Sequence, residues 1–227
     1  MTKMFKFVTE TWNPVKGCLH GCVYCWARKL ANSKLRKTSK HYADGFKPKL
    51  IPERLNQRFK PGSLVFVVDM GDLWGDWVPR NWILRVLQTI RKNPEITFLF
   101  MTKNPKRYHE FVDLFPENVI AGCTIESNRD YGVSKAPKPY ERYVAMRDLP
   151  WEHKFISVEP IMDFDFQVFV KWIKDVGPEL VCVGYDNYGC GLPEPSLSKT
   201  LNFIMTLRGF TRVQTKTLRR RHMCIDV

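Results

Sequence analysis

The chain has 227 residues, 44% of them hydrophobic, seven cysteines, and a formal net charge of +13 at pH 7. That length supports one sizeable core and is short for two, so one domain over residues 1–227 is expected. No apolar run approaches the roughly eighteen residues a membrane helix needs, no secretory leader pattern is present, and an odd cysteine count argues against a disulfide framework. The expectation is a cytoplasmic monomer in a reducing compartment, with no membrane contact.

The first element is a short strand-like entry, FKFVTETWNPV, which runs directly into GCLHGCVYCWA. This segment carries Cys18, Cys22 and Cys25 in a Cys-x3-Cys-x2-Cys triplet, with the aromatic Tyr24 just before the last cysteine. Three thiolates in one loop are too few to close a four-coordinate structural zinc site. They suit three irons of a [4Fe–4S] cluster, leaving the fourth iron open. The alternative is a zinc knuckle that borrows His20 or a distant cysteine, although no second ligand pair of the usual spacing is present.

Helical character then runs from about Ala27 to Lys37, followed by a Lys/Pro-rich connector over 38–61. From there strands and helices alternate. SLVFVVDM (63–70) reads as a buried parallel strand, and Pro79 opens a helix with Trp82, Ile83, Val86, Leu87 and Ile90 at helical spacing. ITFLFMT (96–102) is the next strand, and Asn104-Pro105 has the chemistry of a helix start. NVIAGCTIE (118–126), KFISVEP (154–160) and LVCVGY (180–185) are further strands. The predicted helices between and after them lie near 140–149, from Phe166 to Val176, and from Leu197 to Gly209. FTRVQT is a candidate terminal strand. Six β-α units demand a parallel sheet with right-handed crossovers, and the expected fold is α/β, a partial (β/α)6 TIM-like barrel.

In such barrels chemistry gathers at the C-terminal strand ends. Those ends read Asp69-Met70-Gly71-Asp72, Thr102-Lys103-Asn104, Thr124-Ile125-Glu126-Ser127, Ser157-Val158-Glu159-Pro160 and Gly184-Tyr185-Asp186-Asn187. Every end carries polar or ionisable side chains, which a purely structural barrel does not need. Lys103 would either meet a ligand carboxylate or pair with Glu126. Cys123 near the mouth of its strand is a candidate hydrogen-atom donor to a substrate radical if it points inward, and Cys190 in a Gly-Cys-Gly loop would serve the same role or bind a second metal. Cys182 reads as a small apolar core residue. Trp74 and Trp77 read either as base-stacking rings or as caps on the core.

The charge is unevenly placed. Residues 28–60 carry +9, residues 199–221 carry +7, and the remainder carries −3. Two basic segments on a nearly neutral scaffold suit a polyanion such as DNA or RNA, or else simply solvate helix faces.

The cluster spacing with its aromatic resembles the radical S-adenosylmethionine (SAM) superfamily. The wider pattern of TWNPVKGC, MGDLW, LFMTKNP and SVEP over residues 5–187 resembles small phage and prokaryotic radical-SAM-like proteins. It is more distantly similar to the spore photoproduct lyases. The resemblance implies that Cys18, Cys22 and Cys25 hold a [4Fe–4S] cluster whose open iron chelates SAM, and that Tyr24 lies beside it. It implies reductive cleavage of SAM to a 5′-deoxyadenosyl radical, with an electron donor such as ferredoxin or flavodoxin. Gly71 and Asp72 stand where that family places a Gly-Gly-Glu contact to the SAM amine, although the segment here reads Met-Gly-Asp. Glu126, Ser157 and Glu159 would accept from the ribose hydroxyls or the amine, and Lys103 would reach the SAM carboxylate. Substrate classes other than nucleic acid stay open: a peptide, a small metabolite, or none in a non-catalytic metal-binding module.

Overall fold

The structure, a computed structural model, describes residues 5–218; Arg219, Arg220, Arg221 and Cys224 lie outside the described residues. The chain enters through β1 (Glu10–Trp12) and a two-residue strand, β2 (Val15–Lys16), which pairs antiparallel with β3 (Lys49–Leu50). The main sheet continues with β4 (Leu64–Val67), β5 (Thr97–Thr102), β6 (Val119–Thr124), β7 (Lys154–Val158), β8 (Leu180–Val183) and β9 (Arg212–Thr215). Its order is β1-β4-β5-β6-β7-β8-β9, and every pairing is parallel. The candidate terminal strand is thus a seventh strand. Among the described residues the sheet edges are β1 and β9, which do not pair with each other, so the barrel they form is open.

The expected helices are present as α1 (Trp26–Leu30), continued through a π turn (Ala31–Leu35) into α2 (Arg36–Thr38), then α3 (Arg80–Arg91), α4 (Pro139–Arg147), α5 (Phe166–Val176) and α6 (Leu197–Leu207). The helix expected after Asn104-Pro105 is instead two 3₁₀ turns, Pro105–Glu110 and Val112–Leu114. Phe111 leaves helical geometry between them, at φ −134°, while its ring packs on Trp74. Packing of aromatic residues overrides the local helix signal there.

Alternation along the strands separates two layers. Val65, Val67, Phe98, Phe100, Ala121, Cys123, Ile156, Val158, Val181 and Val183 pack in one core with Ile83, Val86 and Leu87 of α3 and Phe169 and Ile173 of α5. Phe66, Leu99, Met101, Phe155 and Cys182 share the opposite, concave face with Phe5 and Val8 of the N-terminal segment. Phe5 meets Phe66 and Phe155 at ring-centroid distances of 5.6 and 5.2 Å, so the inside of the open barrel is filled rather than hollow.

Candidate metal and cofactor site

The cysteine loop leaves the C-terminal end of β1, and two glycines let it lie flat against the turn that follows β4. Gly17 donates to the Met70 carbonyl at 2.9 Å, and its own carbonyl accepts from Asp72 N–H at 3.3 Å. At φ +84° a side chain at position 17 would be strained, and its Cβ would stand 2.4 Å from the Lys47 carbonyl. A Cβ on Gly71 would stand 2.7 Å from the Gly17 oxygen. Gly71 therefore serves close backbone approach. Buried Lys16 bonds the Asp44 carboxylate and the Gly45 carbonyl, tying the connector under the loop. From the other side Val23 N–H donates to Val133 O at 3.0 Å and Lys135 N–H to His20 O at 2.7 Å, so the segment after β6 straps the loop down.

Cys22 is buried, and Cys18 and Cys25 are half-buried. Burial pushes the Cys18 thiol up, and the charges of Asp72, Cys22 and Cys25 push in the same direction. Burial likewise raises Cys25, with Cys22 contributing. His20 N–H lies 3.5 Å from the Cys18 sulfur, and Arg28 N–H lies 3.3 Å from that of Cys25, where the thiol caps α1. Among the described residues no three Cys, His, Asp or Glu side chains converge tightly enough to enclose a metal ion. What the loop offers is a soft, all-sulfur donor set with peptide N–H groups on two of its members, which fits an iron–sulfur cluster. His20 lies in the same loop, with its Nε2 buried against the Asp72 carboxylate at 2.9 Å and its ring edge-on to Trp77.

The other strand-end residues divide by what already occupies them. Asp72 is buried, and its oxygens receive Trp74 N–H at 2.9 Å, Thr102 hydroxyl at 2.8 and 2.9 Å, and Lys103 N–H at 3.1 Å, besides His20. It is engaged by protein groups on every side. Glu126 is fully buried and receives the Tyr24 hydroxyl, Lys103 Nζ and, at 2.7 Å, Arg142 Nη1 of α4. Burial alone would raise its pKa, but Arg142 and Lys103 outweigh that and lower it to about 2. Lys103 also lies 5.2 Å from the Tyr24 ring centroid. Of the two options open for Lys103, pairing with Glu126 is the arrangement found. Ser157 donates to Glu159 Oε2 at 3.1 Å, while Glu159 Oε1 is buried with no hydrogen-bond partner and Lys216 Nζ stands 3.8 Å away. Desolvation raises the Glu159 pKa.

Cys123 departs from the role considered for it. It is fully buried in the core beneath the helices, its sulfur bonds the Thr124 carbonyl, and burial pushes its thiol up to about 12. Strand alternation turns it away from the concave face and into the layer beneath the helices. Cys182 has the opposite orientation and shares that face, 3.8 Å from Gln214 Oε1. Trp74 is enclosed by Phe100, Tyr108, Phe111 and Phe115, and Trp77 packs edge-on to His20, so both rings serve the core. Cys190 is half-buried and packs on the cluster of Cys22, Tyr24, Met162 and Leu192. Sequence reasoning missed Arg142, because a lone arginine on a helix reads as solvent-facing. No local signal marks its depth.

By fold the chain is similar to spore photoproduct lyase and to SuiB. A spore photoproduct lyase mutant with bound AdoMet and dinucleoside spore photoproduct matches with a TM-score of 0.55 at 11% identity, covering 89% of this chain and 61% of that one. Spore photoproduct lyase complexed with dinucleoside spore photoproduct matches with a TM-score of 0.57 at 12% identity, covering 90% of this chain and 62% of that one. Streptococcus suis SuiB bound to precursor peptide SuiA matches with a TM-score of 0.58 at 10% identity, covering 95% of this chain and 50% of that one. The chain thus spans about three fifths of the lyase length and half that of SuiB. At these identities the likeness is one of fold. No curated protein matches by sequence. Residues 2–183 match the family described as "Protein of unknown function (DUF5131)", and the chain belongs to that family.

Proposed function

We propose that the protein is a radical SAM enzyme in which Cys18, Cys22 and Cys25 hold a [4Fe–4S] cluster. One observation carries the reading. The cysteine triplet lies at the C-terminal end of β1 in an open parallel sheet whose fold matches radical SAM enzymes along at least 89% of the chain. When bound, cluster and SAM supply reductive cleavage of SAM to methionine and a 5′-deoxyadenosyl radical. The chain's own residues then have distinct tasks. Gly17 and Gly71 seat the loop, and Asp72 and Glu126 fix it through His20 and Tyr24. With Asp72 and Glu126 engaged by several protein donors, Glu159, whose Oε1 takes no hydrogen bond and has only the Lys216 ammonium at 3.8 Å, is the carboxylate with room to accept from a SAM hydroxyl or amine, and Ser157 orients it. The filled concave face around Phe5 excludes water from below.

Nucleic acid is the substrate class we favour. Lys29, Lys34, Arg36, Lys37, Lys47, Lys49, Arg58 and Lys60 are exposed along the first basic segment. The described part of the second segment supports this less, since Lys199 pairs with Asp163, Arg212 with Glu179 and Lys216 with Glu159. A peptide substrate, as bound by SuiB, is the second reading.

The test is anaerobic reconstitution followed by iron analysis and assay of 5′-deoxyadenosine with dithionite. Wild type is expected to hold close to four irons, as a [4Fe–4S] cluster requires, and to release 5′-deoxyadenosine. Cys18→Ala, Cys22→Ala and Cys25→Ala each lose both. Stoichiometric zinc in protein never exposed to air overturns the reading. For the substrate, log K against log[salt] on single-stranded DNA or RNA should fall by about 0.7 per phosphate contacted. No binding at low salt favours the peptide.

A further inference from the structure

Glu126 is outnumbered by the cations around it. Lys103 Nζ meets one of its oxygens and Arg142 Nη1 meets the other, with side-chain exposures of 14% and 3% against 0% for the carboxylate. By themselves these three side chains sum to one positive charge in a place largely closed to water; the next buried acid, Asp72, meets the Lys103 backbone N–H and the His20 ring rather than either cation. Among the described residues neither cation has a second acidic partner within 4.0 Å. Arg142 Nε is buried with no hydrogen-bond partner. Uncompensated charge in such a place is costly unless something of opposite sign lies nearby.

The group reaches the cysteine loop through one side chain. Tyr24 donates its hydroxyl to Glu126, lies under Lys103, packs with Cys22 and precedes Cys25. Three thiolates on a [4Fe–4S] core leave the assembly anionic, and one-electron reduction makes it more so. Nearby charge is one of the factors that set the potential at which a cluster accepts that electron.

We propose that Lys103, Glu126 and Arg142 form a net-positive platform beneath the cysteine loop, balanced by an anionic cluster and setting its reduction potential. All three are positioning residues acting through Tyr24, and none is a SAM ligand. The inference rests on the cluster reading of Cys18, Cys22 and Cys25.

The test is a redox titration of reconstituted protein followed by EPR, with iron content and thermal unfolding measured on each sample. Lys103→Gln deletes a positive charge and is expected to move the potential negative. Glu126→Gln deletes a negative charge and is expected to move it positive, while Lys103→Arg keeps the wild-type value. A purely structural role would lower stability in both Gln variants without separating their potentials. If Glu126→Gln does not fold, the comparison of Lys103→Gln with Lys103→Arg decides alone, because Lys103 sits at the edge of the group. Iron-loaded variants with potentials indistinguishable from wild type overturn the platform and leave the cluster standing. A wild-type chain that takes up no iron overturns the cluster reading, and the platform falls with it.

Discussion

Asp72→Ala separates a structural carboxylate from a ligand-binding one. Asp72 is only 4% exposed, and four protein groups depend on it: Trp74 N–H, the Thr102 hydroxyl, Lys103 N–H and the His20 ring. Removing the acceptor orphans each of them, and a buried unsatisfied donor costs about 1–3 kcal/mol. Water entering the vacated space recovers part of the sum, so a net loss of about 3–5 kcal/mol is expected, typical of a broken buried charge cluster. For a chain of this size each kcal/mol lowers Tm by about 2–4 °C, which gives a drop of roughly 6–20 °C. The measurement is thermal and urea unfolding of cluster-free, reduced protein, so that no cofactor contributes. Asp72→Asn keeps one acceptor oxygen and should lose about 1–3 kcal/mol. Asp72→Ala unfolding within about 0.5 kcal/mol of wild type, at unchanged m, would refute the assignment. Asp72 would then be available to a ligand after all.

Three further outcomes follow from other residues. Glu126 has its folded pKa lowered to about 2 from 4.5, so its stabilisation is complete above the ordinary carboxylate range and is lost as pH falls towards 2; urea midpoints should drop across that window in wild type and stay flatter in Glu126→Gln. Glu159 has a raised folded pKa, so ionising it costs stability as pH rises above 4.5; Glu159→Gln should gain stability on wild type from pH 4 to pH 7 while SAM affinity, read by equilibrium dialysis, falls. A mutant equally destabilised at both pH values would contradict the buried, unpartnered oxygen. Gly17→Ala meets both a positive φ and a backbone contact at 2.4 Å; it should cost more than the ~1–3 kcal/mol of an ordinary strained backbone position and lower iron uptake on reconstitution. Full uptake with wild-type stability would show that the loop is free to move off Lys47.

The alternation of elements was legible because it depends on local pattern. Apolar strands bounded by Gly and Pro, and helices such as α3 with Ile83, Val86, Leu87 and Ile90 on one face, need no partner to be recognised. The cysteine triplet was equally plain, since three donors within one loop are a property of spacing alone. The sequence therefore determined the parallel α/β architecture and named the sulfur-bearing loop. It could not say which way Cys123 and Cys182 point, because a one-residue shift in strand phase exchanges the two faces. Packing against α3 and α5 set that phase, and it turned Cys123 outward and Cys182 inward. Nor could it divide the acids. Asp72, Glu126 and Glu159 look alike as polar strand ends, and long-range partners separate them: His20 and Thr102 for the first, Tyr24 and Arg142 for the second, and only the Lys216 ammonium, beyond hydrogen-bond reach, for the third. Such contacts join residues up to 102 positions apart, and only the folded chain brings them together.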